Sequence, residues 1–420
     1  MSDRTLQPSR TPGSGTLARH GRLRKTTGAG SVVKGLSLSL SVLLVSAVVF
    51  AGIVWWNLQS GVSTFDIADD QASNLTEYEG GVNILLVGSD SREGQGAEFG
   101  EGEDEAAGTL NDVNMILHLS ADHSHATVVS IPRDTIVDTP ACTNDKGDAI
   151  EEQYGVPFNS ILEDGGMNCI ISATESMSGL DIQFAAMIQF RGVIEMSNAV
   201  GGVEVCVESP IEDPYVGLSL DAGMHALKGD DALKFLRTRH GVGDGSDLSR
   251  ISNQQVFLSA LMRTVKSDDT LSNPTKLYGL ARAATQNMTL SSNLNNLDTL
   301  VSLATALARV PLDQFAFVRL PVADSSNYEG KVEPTADADF LWQRLQNDES
   351  VLVEPEQSGE VPSDGEVPMP SDTEDATGDG PSDAATEDAT GAVTPPPTAT
   401  PTLDGQTADD QTCSNPESVF

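Results

Sequence analysis

The stretch VNILLVGSDSR, residues 82–92, decides the fold class. It opens with an apolar, β-branched run that stops at Gly88, a composition typical of a buried strand. Runs of the same kind predict further strands at 114–120, 126–132 and 203–209. Apolar residues at helical spacing predict helices at 228–236, 247–265, 273–286 and 297–310. Strands that alternate with helices predict an α/β protein, a layered α-β-α domain with a central mixed sheet.

An uncharged apolar segment precedes these strands. The 22 residues at 35–56 contain no charged side chain, and at ~1.5 Å per residue they can cross a bilayer core of about 30 Å. Residues 1–34 are basic, whereas Asp66, Asp69 and Asp70 follow the segment. The positive-inside rule therefore predicts a signal-anchor, a single-pass transmembrane helix in the cell membrane with a cytoplasmic N-terminus and an extracytoplasmic domain. A cleaved signal peptide is the alternative, but no clear A-x-A site follows.

Composition divides the rest of the chain into three parts. We expect a juxtamembrane linker at 57–73 and the extracytoplasmic domain at 74–348. No lysine or arginine follows Arg344, and Asp, Glu, Pro and Thr dominate 349–420. Such a segment buries too little apolar surface to offset its ordering entropy, so we expect a disordered acidic tail. Its role is either that of a spacer through the cell wall or that of a solvated polyanion.

Arginines and carboxylates recur at the predicted strand ends. The formal net charge of −38 argues against binding of nucleic acid, so each arginine needs a local explanation. Asp90 and Arg92 follow the first strand, and residues two apart in an extended stretch point the same way. Asp112 opens the second strand and Arg133 follows the third. Ligands of open α/β sheets bind at the carboxyl ends of strands.

A second group of polar residues lies before the helix predicted at 247–265 and on one face of it. Arg237 and Arg239 precede a glycine-rich turn, and Arg250 and Gln254 share one face of the helix. Guanidinium groups bind phosphate bidentately, and carboxylates hold hard cations such as Mg²⁺. Together the two groups predict a site for a pyrophosphate with its metal ion.

Simpler explanations exist for several of these residues. Asp247 belongs to the residue types preferred as helix N-caps, so capping alone would explain it. Arg237 and Arg239 would equally serve as partners of surface acids. Asp134 is better explained as a residue that orients Arg133 than as one that touches a ligand.

Three histidines, His118, His123 and His125, lie around the turn between the second and third strands. Their proximity resembles a metal cluster, but side chains at a hairpin turn are expected to face solvent, and we favour that explanation. His240, next to Arg239, is likewise more typical of a neighbour of a site than of its base.

Four long motifs in this order resemble the LytR-CpsA-Psr family of cell-wall glycopolymer transferases. They are NILLVGSDSR (83–92), NDVNMILHLSADHSHATVVSIPRDT (111–135), AVGGVEVCVESPIED (199–213) and LKGDDALKFLRTRHGVGDGSDLSRISNQQ (227–255). The resemblance implies an extracytoplasmic enzyme that takes a glycan from a polyprenyl pyrophosphate carrier and joins it to peptidoglycan by a phosphodiester. Polyprenyl phosphate would be released, with help from Mg²⁺ or Mn²⁺.

The resemblance also implies roles for single side chains. Asp90 and Asp112 match the metal-associated acids of the family. The residues assigned to the pyrophosphate are Arg92, Arg133, Arg237, Arg239, Asp247, Arg250 and Gln254, and those assigned to catalysis are Asp90, Arg133, Arg237 and Arg239. There are two departures: Leu110 and Asn111 stand where a basic residue often precedes the second acid, and Asn253 stands where a further arginine is usual. One phosphate contact is therefore missing or replaced by an amide.

Arginines and a metal ion suffice for phosphoryl transfer without a covalent intermediate, because positioning and charge neutralisation dominate that chemistry. Two alternatives stay open: a polyprenyl pyrophosphate phosphatase, in which water replaces the sugar, and a non-enzymatic protein that binds lipid or wall polymer. The apolar segments 184–196 and 169–177 either line a tunnel for the prenyl chain or pack in the core, and we favour the core.

A disulfide is predicted between Cys142 and Cys169. Both lie in the part expected outside the cytoplasm, where disulfides persist, and they are 27 positions apart across a polar loop that needs tethering. Cys206 lies in a predicted strand and is expected to be a buried free thiol. Cys413 lies in the predicted tail and would pair only opportunistically.

Overall fold

The chain divides into two compact units, Met1–Asn57 and Leu58–Phe420. The structure, a computed structural model, describes residues 28–59, 62–67, 81–89, 110–267, 270, 273–354 and 402–415. Helix α1 (Gly28–Gln59) covers the predicted anchor, and large aliphatic side chains along it, such as Leu36, are exposed. Within the described residues, no helix meets both the length and the apolarity that crossing a membrane requires. The transmembrane anchor therefore stays a prediction.

The strands, in chain order, are β1 (Ser63–Phe65), β2 (Val82–Ser89), β3 (Asn111–Leu119), β4 (Ala126–Ile131), β5 (Ile136–Thr139), β6 (Cys142–Thr143), β7 (Ala149–Ile150), β8 (Gln153–Pro157), β9 (Phe184–Ile188), β10 (Val203–Val207), β11 (Ile211–Asp213), β12 (Leu218–Leu220), β13 (Gly223–Leu227), β14 (Met288–Ser291), β15 (Phe315–Arg319), β16 (Val322–Asp324), β17 (Val332–Pro334), β18 (Val353–Glu354), β19 (Leu403–Thr407) and β20 (Cys413–Ser414). The central sheet has the order β1-β14-β9-β2-β3-β4-β15-β19-β18. Its pairs are both parallel, as in β2–β9 and β4–β15, and antiparallel, as in β2–β3 and β3–β4. The predicted mixed sheet is confirmed.

The helices of the second unit are α2 (Ile161–Ser178), α3 (Phe190–Val200), α4 (Asp230–Arg237), α5 (Asp247–Lys266), α6 (Pro274–Asn287), α7 (Leu297–Arg309) and α8 (Ala336–Gln346), with 3-10 turns at Phe158–Ser160 and Leu312–Gln314. Side chains alternate between the two faces of the sheet along each strand, so helices pack on both faces. Leu85 and Val87 of β2 pack against α2 and α8. Ile84 and Leu86 belong to the opposite core, which includes residues of α5 and α7. The layered α-β-α architecture is therefore confirmed.

A small second sheet, β13-β10-β20, packs beside α4 and α5. Short two-stranded ladders complete the fold: β5–β8, β6–β7, β11–β12 and β16–β17.

Part of the C-terminal segment is folded, so the prediction of a disordered tail at 349–420 is wrong for that part. β18 and β19 extend the central sheet, and β20 pairs with β10, so residues 402–415 are folded. Leu403, Ala408 and Cys413 are buried. A few buried apolar side chains are enough to order this polar segment, because the strands it pairs with satisfy its backbone hydrogen bonds. Residues 355–401 and 416–420 lie outside the described residues.

Two disulfides brace the domain. The Cys142–Cys169 bridge, with a Cα–Cα distance of 5.4 Å, confirms the predicted pairing. The second bridge joins Cys206 to Cys413, with a Cα–Cα distance of 4.5 Å. The expectation that Cys206 is a free thiol is therefore wrong, because β20 places Cys413 directly opposite Cys206 in the small sheet.

Candidate active site

The β3–β4 hairpin brings an acid and an arginine together. Asn114 pairs with Ile131, so the residues before Asn114 and those after Ile131 lie side by side at one end of the sheet. Asp112 Oδ1 lies 2.5 Å from Arg133 Nη1. The hairpin therefore creates an ion pair from two residues that are 21 positions apart.

The start of α5 adds a second acid to this pair. Asp247 Oδ2 accepts a hydrogen bond from the Arg133 backbone N–H at 3.3 Å, and Oδ1 contacts Arg250 Nη2. The N-cap of α5 is Ser246, whose Oγ accepts from the Ser249 N–H at 3.2 Å. The capping explanation of Asp247 is therefore wrong, since its carboxylate instead bridges two arginines.

Arg250 is held deep inside the domain. Its exposed fraction is 6%, and Nη2 also donates to the Asp112 carbonyl oxygen at 3.0 Å. Burial lowers the pKa of Arg250, while the charge of Asp247 acts in the opposite direction. Because the ordinary pKa of arginine lies far above physiological pH, the guanidinium stays charged and contributes a buried positive charge to the site.

The end of α4 carries Arg237, and the loop that follows carries Arg239. The Arg237 guanidinium lies over the Phe190 ring, with its Cζ 4.4 Å from the ring centroid, a cation–π arrangement. Asp213, which is fully buried at the end of β11, accepts hydrogen bonds from Thr238 Oγ1 at 2.7 Å and from the Arg239 N–H at 3.1 Å. Asp213 thereby fixes the backbone at Arg239 in the loop after α4. The motif at 199–213 contains Asp213, but the sequence predicted no role for it, although an acid at a strand end was the available signal.

Asp112 and the arginines described above line one cavity of about 430 Å³, whereas Asp247 is not part of its lining. Its polar lining includes Asp112, Arg133, Arg237, Arg239, Arg250 and Gln254, all of which the sequence placed in one site. We call the four arginines of this lining the arginine cluster. The Nε atoms of Arg133, Arg239 and Arg250 are buried without a hydrogen-bond partner among the described residues. The remaining wall is mostly apolar and includes Leu86, Met115, Ala186, Ile188, Phe190, Val193, Met196, Leu233, Leu236, Phe257, Leu258, Leu261 and Met288.

Two neighbouring amides of α5 have different environments. Gln254 lines the cavity while its Nε2 donates to the Leu236 carbonyl oxygen at 3.1 Å. Asn253 donates to the Phe235 carbonyl oxygen at 2.7 Å and accepts from Ser414 Oγ at 2.5 Å. Since Asn253 does not line the cavity, its amide ties α5 to α4 and β20 and does not replace a phosphate contact.

Other residues from the sequence prediction lie elsewhere or are not described. Asp90 and Arg92 lie outside the described residues. Asp134 contacts Lys331 Nζ at 2.5 Å and lies 3.6 Å from Arg133 Nε, outside the cavity lining. The prediction that His118 faces solvent is wrong, because its exposed fraction is 1%.

The fold and the site together define an α/β protein whose cavity combines a cationic cluster with an apolar wall. The chain belongs to the LytR_cpsA_psr family, whose family model matches residues 57–346. The resemblance stated from the motifs is thereby confirmed.

Named relatives agree with this assignment. Cell wall biosynthesis protein LcpA of Corynebacterium glutamicum is 33% identical over 315 residues, which cover 68% of this chain and 58% of LcpA. Polyisoprenyl-teichoic acid–peptidoglycan teichoic acid transferase TagT of Bacillus subtilis is 27% identical over 208 residues, 47% of this chain and 58% of TagT. The chain thus spans somewhat more than half the length of each relative.

Solved structures share the fold. The LytR-Csp2A-Psr enzyme from Actinomyces oris matches with a TM-score of 0.52 and 22% identity, covering 68% of this chain and 96% of that structure. TagV of B. subtilis matches with a TM-score of 0.51 and 22% identity, covering 64% and 98%.

Proposed function

We propose that this chain is a phosphotransferase that moves a glycopolymer from a polyprenyl pyrophosphate carrier onto peptidoglycan and releases polyprenyl phosphate. The observation that carries the proposal is the cavity, where the arginine cluster adjoins an apolar wall. A prenyl pyrophosphate has the same two halves, a polyanion and a hydrocarbon chain. The name of TagT describes a teichoic acid transferase that acts between a polyisoprenyl carrier and peptidoglycan, which supports the same reaction class.

The apolar wall favours one of the two interpretations of the segment 184–196. This segment supplies several lining side chains, Phe190 among them, which supports a role in holding the prenyl chain. The segment 169–177 differs: Ile170 of α2 is fully buried in the core on one face of the sheet. Core packing is therefore confirmed for that segment.

In the proposed reaction, a sugar hydroxyl of the acceptor attacks the phosphorus that carries the glycan. The new P–O bond forms as the bond to the bridging oxygen breaks, and polyprenyl phosphate leaves with the bonding electrons. The hydroxyl proton passes to a base or to solvent. Arg133, Arg239 and Arg250 line the cavity, and their guanidinium groups would neutralise charge on the phosphoryl oxygens.

A divalent metal ion is part of the proposal. Asp112 lines the cavity and its side chain is 27% exposed, so a hard cation can reach an oxygen ligand of the kind it prefers. We propose that Asp112, together with Asp90, holds Mg²⁺ or Mn²⁺. The ion would supply further neutralisation of charge on the pyrophosphate.

Metal dependence of turnover tests this assignment. Asp112→Asn should raise the Mg²⁺ concentration needed for half-maximal activity, or abolish turnover, with the fold retained. Asp231→Asn, an exposed acid of α4, is the matched control. Unchanged activity and metal dependence in Asp112→Asn would contradict the proposal.

Product analysis separates transfer from the alternatives. The full chain is incubated with a polyprenyl-pyrophosphate-linked glycan and peptidoglycan, and glycan linked to peptidoglycan by a phosphodiester is the expected product. Free glycan phosphate alone would identify a phosphatase. Substrate binding without any product would identify a non-enzymatic binding protein. Loss of turnover with retained binding in Arg237→Ala would argue against a non-enzymatic protein.

We also propose that residues 35–56 anchor the chain in the cell membrane with the domain outside the cytoplasm. A membrane-borne substrate fits this arrangement. Extracellular protease should digest the domain in intact cells, and complete protection would contradict the topology.

A further inference from the structure

A second cluster of ionisable groups lies at the other end of the β3–β4 hairpin. His118 is near the end of β3, His125 immediately precedes β4, and Asp348 follows α8. One ring nitrogen of each histidine and one carboxylate oxygen of Asp348 lie within 4.8 Å of one another. Asp112 and His118 are six positions apart on the extended strand β3, which corresponds to about 20 Å. The cluster is therefore separate from the arginine cluster.

Asn83 determines which nitrogen of His118 carries hydrogen. Asn83 Nδ2 donates to the Asp181 carbonyl oxygen at 2.8 Å, so its Oδ1 faces His118 Nδ1 at 2.8 Å. An amide oxygen only accepts, so Nδ1 must donate, and the lone pair of the neutral ring is on Nε2. An oxygen acceptor on the far nitrogen is the arrangement that orients histidine ligands in metal sites.

Three electron-pair donors therefore face one another. His118 Nε2 lies 3.2 Å from Asp348 Oδ1, and the His118 side chain is only 2% exposed. Nε2 of His125 is buried and has no hydrogen-bond partner among the residues that the structure describes. A proton on His118 would satisfy its contact with Asp348 but would leave His125 Nε2 without a partner in the described part of the chain, whereas one metal ion satisfies all three groups.

The backbone holds Asp348 in this position at a conformational cost. Its φ is 57°, in the left-handed region that residues other than glycine rarely adopt. The carboxylate also accepts a hydrogen bond from the Ala121 N–H at 3.1 Å. The end of α8 is thereby connected to the turn that carries the histidines.

We propose that His118, His125 and Asp348 bind a divalent transition-metal ion of the zinc class, with water completing the coordination. Zinc takes nitrogen and carboxylate ligands at about 2.0–2.2 Å, so tetrahedral ligand atoms are about 3.4 Å apart. The 3.2 Å between His118 and Asp348 matches this spacing, and His125 has to move inward. Mg²⁺ prefers oxygen ligands, so this ion would differ from the one proposed at Asp112. The metal would fasten the β3–β4 turn to the end of α8.

Metal titration of the full-length protein without a histidine tag tests the proposal. After treatment with a chelator, Co²⁺ binding is followed by visible absorption, and Zn²⁺ binding is followed by the rise in thermal midpoint that a ligand of the native state produces. We expect a single equivalent of Co²⁺ with the intense bands of a four-coordinate site, and no displacement by excess Mg²⁺.

Matched variants assign the ligands. In Asp348→Asn the asparagine still tolerates the left-handed backbone conformation and still accepts a hydrogen bond from the Ala121 N–H. The change removes only the charged ligand. His125→Gln removes a second ligand, and each change should weaken Co²⁺ binding on the order of tenfold or more. His123→Asn, in the same turn with φ 58°, should bind as the wild type does.

Several outcomes overturn the proposal. These are the absence of binding in the wild type, displacement of Co²⁺ by Mg²⁺, and wild-type affinity in His125→Gln. Far-ultraviolet circular dichroism confirms that each variant is folded, and if Asp348→Asn unfolds, His125→Gln alone decides.

Discussion

Asp247 Oδ1 lies 3.5 Å from Arg133 Nε, while Oδ2 accepts a hydrogen bond from the Arg133 backbone N–H. The same carboxylate contacts Arg250 Nη2. One acid at the start of α5 therefore holds together two arginines that the chain separates by 117 positions, and it neutralises part of their mutual repulsion.

Asp247→Asn should lower both the rate of transfer and the stability of the fold. The amide keeps the size of the side chain, but Arg250 loses its buried counter-charge, a change that costs about 3–5 kcal/mol when a buried pair is broken. We expect transfer to fall on the order of tenfold or more, measured as initial rate, with a lower urea midpoint. Asp230→Asn, which removes an exposed partner of Lys234, should leave both values near those of the wild type. Wild-type behaviour of Asp247→Asn would show that the bridge is unimportant.

Lysine at position 237 or 239 should impair transfer although the charge is retained. Arg237→Lys and Arg239→Lys lose the planar fork that binds phosphate bidentately, which is worth about 1.5–3 kcal/mol for a charged hydrogen bond, or roughly tenfold or more in rate. Arg309→Lys, an exposed residue at the end of α7, is the control. Equal rates for all three variants would place Arg237 and Arg239 outside the reaction.

Asp213 should make the stability of the fold depend on pH. Burial by itself raises the pKa of Asp213, but hydrogen bonds from Thr238 and from the backbone N–H groups of Arg239, Tyr215 and His240 outweigh it, so the net pKa lies below its usual value. The carboxylate therefore stabilises the fold fully above the pKa of the unfolded chain, about 3.9, and this stabilisation is lost as the pH falls through the lower folded pKa.

Urea unfolding at a series of pH values measures this contribution. Asp213→Asn should be less stable than the wild type at pH 7, and the difference should shrink below about pH 4. A difference that is independent of pH would mean that the carboxylate charge contributes nothing.

Loss of the Cys206–Cys413 bridge should destabilise the chain more than loss of Cys142–Cys169. The first closes a loop of 207 positions and the second a loop of 27. In the chain-entropy model these are worth about 5 and about 3.5 kcal/mol. Paired cysteine-to-serine variants, compared by urea unfolding, give the two values.

The longer bridge should also affect the site. It anchors β20, whose Ser414 hydroxyl donates to Asn253 on the same helix as Arg250. Reduced transfer in the Cys206→Ser/Cys413→Ser protein is therefore expected. An equal or larger loss of stability in the Cys142→Ser/Cys169→Ser protein would contradict the order stated here.

Much of the fold was predictable from local pattern. The predicted helices at 247–265 and 297–310 agree with α5 and α7 to within one residue, because their apolar residues follow helical spacing and polar residues mark their starts. The secondary structure of the segment 184–196 could not be predicted from local pattern, because the segment contains both a strand, β9, and the start of a helix, α3. One apolar run cannot distinguish a buried strand from a buried helix.

The amino-acid sequence by itself determined which residue types form the site: arginines and acids at strand ends and on one face of α5, where phosphate chemistry needs them. Only the tertiary structure decided their partners. Asp247 is a bridge between arginines, Asp213 supports the loop that carries Arg239, His118 is a buried side chain, and Cys413 is the partner of Cys206. Each depends on strands and helices that are distant in sequence, and pairing across such distances is set by sheet register and core packing, which local composition does not encode.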